Sequence, residues 1–141
     1  MEEPVTMATM TTFAPNKTLE MPKSFVNTLK EGGMESSHAI MILNPSTRVI
    51  RITPTSSNEV VKLSIVISEL SPDFLQALGK ILTRHKLKTL YSTGICFTQD
   101  TCSYEGYIDM SEFAEIPPDQ MRDEISKITG ISQVNLEIIS P

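Results

Sequence analysis

Cysteine is scarce in this chain: Cys96 and Cys102 are the only two among 141 residues, too few for the disulfide framework of a small secreted domain. Histidine is equally sparse, with His38 and His85 alone, so a zinc centre lacks a full set of donors unless a second subunit adds some. Basic residues are outnumbered, twelve Lys and Arg against seventeen Asp and Glu, for a formal charge of −5. No run of them forms the positive face that phosphate backbones require, which excludes nucleic acid as an expected direct partner. No apolar run approaches the roughly 20 residues needed to cross a bilayer, so no membrane association is expected. The start, Met1-Glu2-Glu3-Pro4, is acidic where a secretory signal is basic and then apolar, so a cytoplasmic location is expected. Phosphate loops and nucleophile–base spacings are missing too, and the expectation is a non-enzyme with no cofactor and no metal.

What is present reads as one domain with appendages. Residues 1–21 are mostly Thr, Met, Glu, Pro and Ala without apolar period, and such a tail buries too little surface to offset the entropy of ordering it. A second segment, 22–59, opens with Pro22 and a short helix carrying Phe25, Val26 and Leu29 on one face, stopped by Gly32-Gly33. Ala39 to Leu43 and Arg48 to Thr53 then flank Asn44-Pro45-Ser46-Thr47, a turn sequence, and predict a β-hairpin. Thr53 to Asn58 is a polar connector.

From Val60 onward the pattern is denser. Val61, Leu63, Ile65 and Ile67 alternate with Lys62, Ser64 and Ser68, the two-residue period of a half-buried strand. Ser71-Pro72-Asp73 supplies a helix cap, a first-turn proline and an acid at the positive end of the helix dipole. Phe74, Leu75, Leu78, Ile81 and Leu82 give that helix one apolar stripe. Leu87 to Phe97 and Cys102 to Met110 predict two strands joined by a polar tip, Thr98 to Thr101. Pro117-Pro118-Asp119 starts a second helix with Met121, Ile125 and Ile128 on its buried face, Gly130 ends it, and Val134, Leu136 and Ile138 alternate as a last strand. The expected fold class is α+β, a ferredoxin-like βαββαβ sandwich over 60–141, preceded by the short helix and hairpin.

The stretch Ser68-Glu69-Leu70-Ser71-Pro72-Asp73-Phe74-Leu75, with the helix ending at Arg84-His85-Lys86 and then Leu87-Lys88-Thr89, resembles the first half of an ACT domain. Length, element order and loop position agree over about 80 residues, whereas Asp73 stands at the family's glycine position and Leu70 where its aspartate or asparagine usually stands. Such domains frame an amino acid or similar ligand between the first loop and the second strand, at a subunit interface. The resemblance therefore implies a ligand site at Ser68, Glu69, Leu70, Ser71, Pro72, Asp73, Phe74, Thr93 and Gly94. It also implies a homo-oligomeric regulatory module that senses a small molecule and acts on a separate partner protein. The alternative is a structural module for protein–protein interaction or oligomerisation that binds no ligand.

Cys96 and Cys102 are symmetric about Gln99 and face each other only if the turn has an odd number of residues. The plainest reading is that one or both are small buried hydrophobes; a reversible thiol pair or a share of a metal site is the alternative. His85 sits beside Arg84 and Lys86, where a cation favours the negative end of the first helix. Tyr91, Tyr104, Tyr107, Phe97 and Phe113 gather near the central strands, but the basic and glycine residues of an RNA-binding sheet are missing between them. Packing or a subunit interface accounts for them better.

Overall fold

The alternation at Val61, Leu63, Ile65 and Ile67 becomes a central strand of the protein. A computed structural model describes residues 5–31, 37–69, 71–98 and 100–141; the fold is α+β, and the described residues form two antiparallel sheets and three α-helices. It divides into two compact units, Met1–Glu35 and Ser36–Pro141. In the first, residues 5–22 form no helix or strand, and α1, Lys23–Lys30, follows Pro22. The Glu31 N–H closes the helix onto the carbonyls of Asn27 and Thr28. The expected Gly32-Gly33 stop lies outside the described residues, as do Met1 to Pro4.

The second unit begins with a hairpin of β1, Ala39–Asn44, and β2, Val49–Pro54. Asn44 explains the turn: its Oδ1 accepts from the Ser46 N–H at 3.1 Å and the Ser46 hydroxyl at 2.8 Å. Arg48 then takes a left-handed φ of 59°, so β2 starts one residue later than its apolar run suggests. Next come β3, Val60–Ile67, α2, Pro72–Arg84, β4, Tyr91–Cys96, β5, Cys102–Asp109, a 3-10 turn at Met110–Glu112, α3, Pro118–Ser126, and β6, Ile131–Ile139. The four strands from β3 onward lie in the order β4-β5-β3-β6, all neighbours antiparallel.

One face of this sheet holds the main core. Leu63, Ile65, Ile67 and Ile108 pack with Phe74, Leu78 and Ile81 of α2 and Met121 and Ile125 of α3, the apolar stripes that the helical periods place together. The helix boundaries differ from the sequence reading in physical detail. Ser71 occupies the N-cap of α2 but makes no side-chain capping bond. Lys86 takes a left-handed φ of 56° and the Leu87 N–H returns to the Leu82 carbonyl at 2.8 Å. This C-terminal turn consumes Leu87, and β4 begins at Tyr91 instead. Likewise α3 ends at Ser126, four residues before Gly130. No described helix is long and apolar enough to cross a membrane.

Candidate functional site

The period-two pleat sends every second residue of β4 and β5 away from the helices. Register makes these cross-strand pairs Tyr91 with Tyr107, Thr93 with Glu105, and Ile95 with Ser103. The hairpin covers part of that face. Ile40 and Ile42 of β1 are buried against Val60 and Tyr107, with Leu90, Tyr91 and Ile139 at the margin. Beyond this contact the hairpin tip, Ile42 to Ser46, overhangs the sheet and leaves a cleft of about 260 Å³ whose floor is those three pairs, with Gly94 and Phe97 beside them. A neighbouring recess of about 230 Å³ lies across Ile42 and Tyr91 and is lined also by Asn44, Thr47, Val49 and Arg51.

Charge is distributed unevenly over this face. The Arg51 guanidinium lies 4.5 Å from the centre of the Tyr91 ring, within the range of cation–π attraction. Lys62, on β3, places Nζ 3.5 Å from Glu105 Oε1 and 5.7 Å from the centre of the Tyr107 ring. Partial burial pulls the Lys62 pKa down, but the Tyr107 oxygen and the Glu105 carboxylate outweigh it and hold the pKa above the ordinary lysine range. Lys62 is therefore a firm cation beside the cleft, while Glu105 is the acidic residue among the described residues of its lining.

The expected ligand residues that are described fall in two places. Thr93 and Gly94 line the cleft. Ser68 and Glu69 sit at the far end of β3, where both backbone N–H groups donate to the Gly130 carbonyl, at 2.8 and 3.2 Å, and the Ser68 hydroxyl donates to it as well, at 3.1 Å. Gly130 has a φ of +95°, and a Cβ there would stand 2.5 Å from the Glu69 carbonyl oxygen, so this close approach needs glycine. Leu70 lies outside the described residues. Pro72 and Asp73 are exposed on the first turn of α2, Ser71 is half-buried, and Phe74 is sealed in the core at 1% exposure. Sequence reasoning missed Glu105, Ser103 and the hairpin tip as neighbours of Thr93; the alternation of β5 was the available signal, and the overhang had none.

Cys96 and Cys102 are directly paired across β4 and β5 and joined as a disulfide. Cys102 is buried and Cys96 exposed. The five positions 97–101 between the strands are the odd number that brings the pair face to face, while Gln99 itself lies outside the described residues. The bond staples the end of β4, which among the described strands lies at the sheet edge beside β5. Closing so short a loop contributes about 2 kcal/mol by chain entropy. Reduction with a thiol is thus expected to lower the unfolding free energy by about that much, read as the loss of denaturant midpoint with and without reductant. An unchanged midpoint on full reduction would show that the staple constrains nothing. Among cytoplasmic chains such a bond is redox-responsive, whereas in an oxidising compartment it is permanent.

His85 ends α2 as expected, its N–H returning to the Ile81 carbonyl, and its ring has a second task. Nε2 lies 2.7 Å from Glu124 Oε2 on α3, and Arg84 Nη2 reaches the same oxygen at 2.9 Å. The His85 hydrogen bond is the largest cause, and Arg84 a further one, holding the Glu124 carboxyl below its ordinary pKa. This clamp ties the two helices together. Among the described residues no group of three or more His, Cys, Asp and Glu is placed to hold a metal ion.

No family model and no curated protein sequence matches this chain. Among solved structures it is similar to the solution structure of the C-terminal domain of the MgtC protein from Mycobacterium tuberculosis, with a TM-score of 0.45 and 9% identity over 58% of this chain and 88% of that one.

Proposed function

We propose that this chain holds a regulatory module of the ACT type, which binds a small molecule and passes the state of its site to a partner protein. The observation that carries this reading is the cleft under the hairpin tip, with Thr93 and Gly94 of β4 in its lining. These are the strand residues that the family resemblance marks for ligand. The sequence of elements from β3 to β6 and the strand order β4-β5-β3-β6 support a ferredoxin-like βαββαβ sandwich beneath it. The mechanism is differential binding: the ligand stabilises one arrangement of hairpin, sheet and subunits over another and biases what the module contacts. An amino acid is one candidate ligand, and a cytoplasmic homodimer is the assembly the reading implies.

A second reading has its own observation. The outward face of the hairpin pairs Met41 with Ile52 and Leu43 with Ile50, and Met41, Leu43 and Ile50 are each at least half exposed. A protein that binds no ligand and uses this apolar face for association would also show it. A thermal-shift screen against amino acids, nucleotides and divalent metals, with the solution mass measured alongside, separates the two. A saturable shift abolished by Thr93→Val puts the ligand in the cleft, and one abolished by Asp73→Lys puts it at the loop before α2. A stable oligomer that responds to nothing overturns the sensor reading in favour of the interaction module.

A further inference from the structure

The cleft has a chemical bias that its shape alone does not convey. Its floor runs from the aromatic Tyr91–Tyr107 pair through the polar Thr93–Glu105 pair to the mixed Ile95–Ser103 pair. Ile42 and Ile95 are apolar members of the lining. Glu105 brings a negative charge to this space, and its side chain is 42% exposed. Lys62 approaches one carboxylate oxygen from β3 at 3.5 Å, longer than a well-formed charge-assisted hydrogen bond, so it neutralises the carboxylate only in part. A carboxylate accepts from about four directions, and a single distant ammonium leaves acceptor capacity. The Tyr91 and Tyr107 rings add negative π faces at one end of the floor, each already drawing a cation from outside the cleft.

We propose that this cleft takes a small organic cation, a primary amine or guanidine with a short apolar portion, its charged head on Glu105 and its apolar part between Ile42 and Ile95. The inference rests on the reading of the cleft as the ligand site and adds the class of ligand. An anion meets the Glu105 charge with no cation among the described lining residues to balance it. A neutral ligand gains only the apolar walls. The volume, about 260 Å³, lies just below the usual range for drug-sized ligands and suits roughly ten heavy atoms.

Three probes of similar size test the class on the full chain: phenethylamine, 2-phenylethanol and phenylacetate, titrated while amide signals are followed by NMR. The expected result is a saturable movement of the Thr93, Ile95 and Glu105 signals with phenethylamine and none with the other two at the same concentration. Glu105→Gln, which keeps the shape of the side chain, is expected to weaken the amine about tenfold, the loss of one charge-assisted hydrogen bond. Lys62→Met, which removes the competing ammonium, is expected to tighten it about threefold. The opposite responses of the two variants set a local electrostatic effect apart from unfolding. If the alcohol moves the same signals as strongly as the amine, or Glu105→Gln binds the amine undiminished, the cation class is overturned while the cleft stands. If no probe moves any of these signals, the proposal and the cleft reading fall together.

Discussion

Phe74→Ala is expected to lower the unfolding free energy by about 3–5 kcal/mol, the cost of emptying a filled aromatic site in a core that relaxes only partly. Phe74 belongs to the first turns of α2 and is 1% exposed, in a cluster with Leu63, Ile65, Ile67, Leu78 and Ile125. Its neighbour Leu75, one residue on, is 62% exposed, and Leu75→Ala is expected to change stability by no more than about 0.5 kcal/mol. Urea unfolding followed by far-UV circular dichroism measures both. The contrast matters because the family resemblance groups Phe74 with residues of the ligand loop. A large loss for Phe74→Ala assigns that side chain to the core, while two small losses would mean that α2 does not pack on the sheet as described.

The same helix shows what a sequence can convey. Phe74, Leu78 and Ile81 repeat at helical spacing and β3 alternates, so which faces meet was readable from residues three or four apart in the helix and two apart in the strand. Helix and strand ends were less readable. Leu87 continues an apolar pattern towards β4, but the left-handed turn at Lys86 returns its N–H to Leu82, and no residue type announces a left-handed lysine. The cleft was hidden for a different reason. Ile42 and Glu105 stand 63 positions apart, and only the placement of the hairpin on the β4–β5 face turns an ordinary acidic strand residue into the charge of a recess. Thr93 and Gly94 were singled out through the family resemblance, and their new neighbours come from the hairpin, for which that resemblance has no counterpart. The Cys96–Cys102 pairing was half legible, since symmetry about position 99 was visible and the register was not.

Asp109→Ala is expected to cost about 3 kcal/mol, because it removes a buried carboxylate that accepts from three neighbouring donors. Asp109 ends β5 at 4% exposure. Its Oδ2 accepts from the Ser56 N–H at 2.6 Å and its Oδ1 from the Ser111 N–H at 3.1 Å. The Ser57 hydroxyl lies 2.8 Å from Oδ1 and equally from the Glu59 carbonyl, and its single hydrogen serves one at a time. These bonds fasten the 55–58 connector, and with it the start of β3, to the 3-10 turn after β5. Burial pushes the Asp109 carboxyl up, yet the backbone N–H groups of Ser111 and Ser56, with the Ser57 hydroxyl, win and hold it below its ordinary pKa. The unfolded chain, with an aspartate near pH 4, therefore binds a proton before the folded one does. The contribution of Asp109 is complete above that pH and lost as pH falls through the lower folded value. Wild-type unfolding free energy is expected to decline on the acid side of about pH 4, and Asp109→Asn, which cannot ionise, to show a shallower decline from a lower starting stability. Glu124, also held low by His85 and Arg84, supplies a second part of the acid slope, so Asp109→Asn with Glu124→Gln is expected to be flatter than either alone. Urea midpoints from pH 2.5 to 7 decide it: a slope unchanged in Asp109→Asn would mean that its carboxylate does not hold the connector.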